Sequence, residues 1–149
     1  MRKLTLIFSL LICLCASAQE QFVNLTPRPK QMTVGTGVFT LPARITIGTS
    51  GVADSLAAEA RKLATALRAA TGRNVTVSAT AKGDIVMRKA TDIANPEGYR
   101  LSVTADGITA EASTTAGFFY AFQSLKKMMP ACVMAEVRDA KVNEFTVPM

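Results

Sequence analysis

The sequence predicts an α+β fold: a mostly antiparallel sheet with two helices packed on one face. Three observations carry that expectation. Residues 54–70 repeat apolar side chains every three or four positions, as one face of a helix requires. Residues 98–112 alternate apolar and polar about Asp106-Gly107, a strong hairpin signal. Residues 114–129 then return to helical spacing and stop at Pro130.

Taken in order, the elements begin with a leader. Arg2 and Lys3 precede an apolar run from Leu4 to Cys15, and Ala16-Ser17-Ala18 supplies small residues at a cleavage site. That run is shorter than the roughly 20 apolar residues needed to span a bilayer, so a secretory signal cut near Ala18 is expected. Secretion or periplasmic export follows, with no membrane attachment after cleavage. Lipidation at Cys13 or Cys15 is disfavoured because Ile12 and Leu14, not small residues, precede them. Cleavage leaves Cys132 as the one cysteine, so no internal disulfide can form. Beside Pro130 and Ala131, Cys132 reads as a small packing residue.

Asn24 to Lys30 carries two prolines and is extended and irregular. Gln31–Val34 and Val38–Leu41 read as two short strands about Gly35-Thr36-Gly37, which lacks the glycine count and lysine of a phosphate loop. Arg44–Ile47 alternates and makes another strand. The first helix runs from Asp54 to Ala70 on Leu56, Ala60, Leu63, Leu67 and Ala70, with Ser50 or Asp54 as cap and Gly72 as stop. Asn74–Ser78 and Asp84–Met87 are strands, then Gly98–Thr104 and Ile108–Ala112 form the hairpin. Ser113 or Thr114 caps the second helix, which carries Phe118, Phe119, Phe122, Leu125 and Met129 inward and Lys126-Lys127 near its C-terminal end. The domain organisation expected is a signal peptide over 1–18, an α+β domain over 19–130, and over 131–149 a linker or the start of a further, catalytic domain.

Composition limits the chemistry. With 149 residues the chain cannot contain a (β/α)₈ barrel, which takes about 250. The absence of His excludes a Ser–His triad and removes the commonest ligand of catalytic zinc. Hydrophobic content of 49% against 19% charged residues argues for a packed core rather than disorder. The net charge of +6 comes from scattered lysines and arginines without interleaved aromatics, so no nucleic-acid partner is expected. The acids Asp54, Glu59, Asp84, Asp92, Glu97, Asp106, Glu111, Glu136, Asp139 and Glu144 stand singly, and no adjacent Asp-Glu pair offers a glycosidase centre. Phe118-Phe119-Tyr120-Ala121-Phe122 is expected as core rather than as a sugar platform. Asn24-Leu25-Thr26 and Asn74-Val75-Thr76 match the N-glycosylation triplet, which matters only in a glycosylating host. No catalytic, cofactor-binding or metal-binding residue is assigned, and no cofactor is expected.

Three blocks in order carry a resemblance: Asn95-Pro96-Glu97-Gly98-Tyr99-Arg100-Leu101-Ser102-Val103, Asp106-Gly107-Ile108-Thr109-Ala110, and Ala116 to Leu125. With Leu25-Thr26-Pro27-Arg28-Pro29-Lys30 and Gly37-Val38-Phe39 upstream, they resemble the N-terminal, non-catalytic domain of bacterial-type β-N-acetylhexosaminidases of glycoside hydrolase family 20. The resemblance spans about Leu25 to Met129. It implies an α+β domain followed by a catalytic (β/α)₈ barrel, where an Asp-Glu pair works with the substrate's own acetamido group. The sequence has no such pair and stops at Thr146-Val147-Pro148-Met149, about where such a chain would cross into the barrel. The expectation is therefore an accessory domain of a secreted enzyme, lacking its barrel and inactive alone. The alternative is a free-standing secreted module binding amino-sugar glycans or a protein.

Overall fold

The computed structural model describes Val23 and residues 25–149. The readings placed on residues 1–22 and on Asn24 (leader, Cys13, Cys15 and the first glycosylation triplet) lie outside them.

The first strand, β1 (Val38–Thr40), is short and is followed by β2 (Arg44–Gly48). Helix α1 (Asp54–Thr71) turns Leu56, Ala60, Leu63, Leu67 and Ala70 inward, as their spacing dictates, and ends on Gly72 in the left-handed conformation. Neither Ser50 nor Asp54 caps it; Ala53 occupies the cap position and offers no side-chain acceptor. Strands β3 (Asn74–Ser78) and β4 (Ile85–Lys89) follow, then the hairpin of β5 (Tyr99–Thr104) and β6 (Gly107–Ala112). Thr104 pairs with Gly107, so Ala105-Asp106 is the two-residue loop. Helix α2 (Thr115–Met128) starts at Thr114, whose hydroxyl accepts from the Gly117 amide at 3.1 Å. Helix α3 (Ala131–Ala135) and β7 (Thr146–Pro148) complete the chain.

The α+β architecture with helices on one face stands, and α1, α2 and α3 touch one another in a single layer. Strand direction differs from the expectation. The main sheet is mixed, in the order β3-β2-β4-β6-β5, with β2–β3, β2–β4 and β4–β6 parallel and β5–β6 antiparallel. The reason is connectivity. Helix α1 carries the chain back across the sheet, so β3 restarts in the direction of β2. Strand β5 is laid at the sheet's edge before the hairpin folds β6 into the slot beside β4, which makes β6 parallel to β4.

The β3–β4 connection is unusual for parallel strands because it contains no helix and is only a few residues long. Stagger makes it possible: β4 begins at Ile85, opposite Ile47 near the end of β2. The link passes directly over Gly48, where an added Cβ would lie 2.7 Å from the Thr80 carbonyl and 2.9 Å from that of Lys82. No larger residue fits there without moving backbone.

A second, two-stranded sheet pairs β1 with β7 antiparallel. The expected hairpin of Gln31–Val34 with Val38–Leu41 is thus replaced: Gln31–Val34 is not a strand, and β1 takes its partner from the far end of the chain. Burial explains the choice, since Phe145 and Val147 enter the core beside Phe39 and Leu41 while Gln31–Val34 stays exposed. Residues 131–149, expected as a linker, pack as part of the domain; Val133 on α3 is also fully enclosed.

Candidate functional site

Alternation assigns the two faces of the main sheet different tasks. Ile45, Ile47, Ile85, Met87, Ile108 and Ala110 lie under the helices and are buried. The opposite face carries Thr46, Thr76, Arg88, Arg100, Ser102 and Glu111 and is polar. There Arg100 donates bidentately to Asp92 at 2.7 and 3.0 Å and through Nε to Glu111 at 3.0 Å. The hydrogen bonds from Arg100 hold the Asp92 carboxyl below its ordinary value of 3.8. The same bonds to Asp92 and Glu111 push the guanidinium up. A general acid needs the opposite shift.

The helical layer carries a groove of about 530 Å³ between α1 and α2. Its floor holds two nearly enclosed charges. Glu59 on α1 accepts from Lys62 at 2.7 Å, and Lys126 on α2 donates to Glu136 at 2.9 Å. Glu59 and Lys126 are 4% and 8% exposed, so each needs its partner to offset desolvation. Phe122 lies below this groove and Phe119 on its rim. The aromatic cluster expected as core is therefore split: Phe118 and Phe122 are buried, while Phe119 and Tyr120 are about two-fifths exposed and meet edge to face, with ring centres 5.3 Å apart.

A second groove, about 780 Å³, runs beside β5 under residues 29–34. Tyr99 lies in it, its hydroxyl 2.6 Å from that of Ser124. Lys127 reaches out of α2 to the Thr26 carbonyl and pins the irregular N-terminal stretch.

The remaining acids are dispersed. Asp84 accepts from the Thr46 amide at 2.7 Å across two strands, and Asp139 accepts from the Lys141 amide in a turn. Asp54, Glu97, Asp106 and Glu144 are exposed. Cys132 is half-buried against the core, a packing position, and is free. Among the described residues no group of His, Cys, Asp and Glu side chains could hold a metal ion. The structure brings Glu59 and Glu136 to one groove and Asp92 and Glu111 to one arginine, each carboxylate already tied to a cation. Sequence reasoning missed the buried Glu59, although it stands on the apolar side of α1, three residues after Leu56 and four before Leu63.

A layer of helices over one face of a mixed five-stranded sheet defines the class, a small α+β domain. The family model for glycosyl hydrolase family 20, domain 2, matches residues 23–146, and the chain belongs to that family. Among curated proteins no relative matches. Solved structures do. The family 20 β-N-acetylhexosaminidase of Streptomyces coelicolor A3(2) superposes with a TM-score of 0.72 at 28% identity, covering 82% of this chain and 24% of that one. The Streptomyces plicatus N-acetyl-β-hexosaminidase, solved with Thio-NAglucal, gives 0.70 at 27% identity, covering 82% and 25%. The β-N-acetylhexosaminidase of Bacteroides fragilis NCTC 9343 shares the fold, at 0.59 and 22% identity over 83% and 24%. The chain thus spans about a quarter of the length of these solved enzymes.

Proposed function

We propose that this chain is the accessory domain of a secreted β-N-acetylhexosaminidase, an enzyme releasing terminal N-acetylhexosamine residues, and that it has no hydrolytic activity alone. The observation that carries the reading is the match to domain 2 over residues 23–146, which accounts for most of the chain. The described acids support it: the nearly buried Glu59 is held by Lys62, and the Asp92 carboxyl is pushed down rather than up. Its partner is the catalytic (β/α)₈ barrel of the same enzyme, which would supply the Asp-Glu pair. The domain's part is mechanical, as a rigid body against which the barrel packs. Export rests on the leader, whose cleavage near Ala18 gives a mature chain beginning at Gln19.

A chromogenic N-acetylglucosaminide tests the central point. The purified chain should release no chromophore above the uncatalysed rate, and genuine turnover by it would sink the reading. Mass spectrometry of exported protein should find Gln19 at the N-terminus; an intact leader would refute secretion by cleavage. The second reading, a free-standing module for amino-sugar glycans, draws on the half-exposed Phe119 and Tyr120 beside the α1–α2 groove. Calorimetry against chitin fragments separates the two, since heats in the micromolar range support the module and silence counts against it.

A further inference from the structure

The end of the chain is held in an unusual way. Arg73, in the two-residue link between α1 and β3, sends its guanidinium to the segment between β1 and β2 and to the one that leads into β7. It donates to the carbonyls of Leu41 and, at 3.3 Å, Pro42, and at 3.1 Å to that of Asn143. The same group lies over the Phe145 ring, 4.9 Å from its centre. Among the described residues it forms no ion pair. A planar fork satisfied by carbonyls and an aromatic face is a task that lysine cannot reproduce.

What Arg73 grips is a strap. Residues 143–149 lie across the domain, with the Leu41 amide donating to the Phe145 carbonyl at 2.9 Å and the Met149 amide to that of Gly37 at 3.1 Å. Among the described residues the strap's only strand partner is β1, with the Gly35 amide donating in addition to the Met149 carbonyl at 2.8 Å, and this two-stranded sheet shares no ladder with the five-stranded one. Two-stranded sheets are marginal by themselves. The strap is therefore retained by the burial of Phe145 and Val147, by its backbone bonds to the β1 segment, and by Arg73, which binds the Asn143 carbonyl on the strap and those of Leu41 and Pro42 after β1 at once.

We propose that Arg73 is a latch: the strap and β1 open together, their two-stranded sheet coming apart as they leave the core, while the five-stranded sheet stays folded, and Arg73 sets how often they do. Opening would uncover Phe39, Phe145 and Val147 and free the C-terminal end of the domain to change its path. Closure makes that end a rigid continuation of the fold.

Native-state hydrogen exchange of the protein in increasing, sub-denaturing urea tests it. The amides of Leu41 and Met149 should exchange at least tenfold faster than those of Ile47, Met87 and Ala110. Arg73→Gln should accelerate the first group a further tenfold and leave the second unchanged, with Arg73→Lys in between. Equal protection of both groups in the unaltered protein would overturn the proposal, because the strap would then open only with global unfolding. So would strap amides that Arg73→Gln leaves untouched. If Arg73→Gln does not fold, the unaltered protein and Arg73→Lys still decide.

Discussion

Single side chains here do two kinds of work that composition alone does not separate. Lys126 and Lys127 adjoin in sequence and both suit the negative end of α2, yet one is enclosed against Glu136 and the other holds the Thr26 carbonyl. Thr114 is the clearest case of a residue whose part was legible. Its hydroxyl accepts from the Gly117 amide and also donates to the Pro96 carbonyl, so it caps α2 and ties down the loop before β5. Thr114→Ala should lower stability by about 1–2 kcal/mol, read as a shifted urea midpoint with unchanged slope. Asp92 supplies the pH prediction. Because its folded-state pKa is lowered, mainly by the Arg100 hydrogen bonds, its contribution is present above 3.8 and is lost as pH falls through the lower folded value. Asp92→Asn should flatten that part of the acid limb in a plot of Tm against pH. Arg100→Gln should return the Asp92 carboxyl towards 3.8 in an NMR titration.

Elements followed sequence where period and punctuation agreed. Helix α1 came from its 3.6-residue repeat and Gly72, α2 from Thr114 and Pro130, and the β5–β6 hairpin from alternation about Asp106-Gly107. The pairing of distant strands was not legible, because hydrophobic period reports which face of a strand is buried and not which neighbour it finds. Thus sequence proximity pairs β1 with Gln31–Val34, whereas in the fold Phe145 and Val147 have more apolar surface to bury with it. The same blindness gave the wrong strand direction, since α1 and the β3–β4 link set it through the path of the chain. Gly48 marks that link. Gly48→Ala should cost about 1–3 kcal/mol, the usual range for overpacking, because the new Cβ would meet backbone rather than a side chain that can swing away. A loss of under 0.5 kcal/mol in denaturant unfolding would show that the Thr80–Lys82 crossing can shift freely.

At the scale of the whole molecule the two outer surfaces differ in kind. The open sheet face is polar and its Arg100 charge is balanced by Asp92 and Glu111. The helical layer instead presents Phe119 and Tyr120 on α2 and Met134 on α3, each more than a third exposed. The aromatic run is core only in part, because helical spacing gives Phe118 and Phe122 to the interior but turns the adjacent Phe119 and Tyr120 outward. Exposed apolar surface of this kind associates with other apolar surface, whereas the side chains that expose it contribute little to the fold beneath. Phe119→Ser with Tyr120→Ser should therefore leave the urea midpoint within about 0.5 kcal/mol of the starting protein, while lowering binding of a hydrophobic dye and concentration-dependent light scattering. Loss of stability comparable to that of a buried aromatic, about 3–5 kcal/mol, would mean that the pair belongs to the core after all. Unchanged dye binding would mean that the apolar surface lies elsewhere, at Met32, Val34 and Val38 on the N-terminal side.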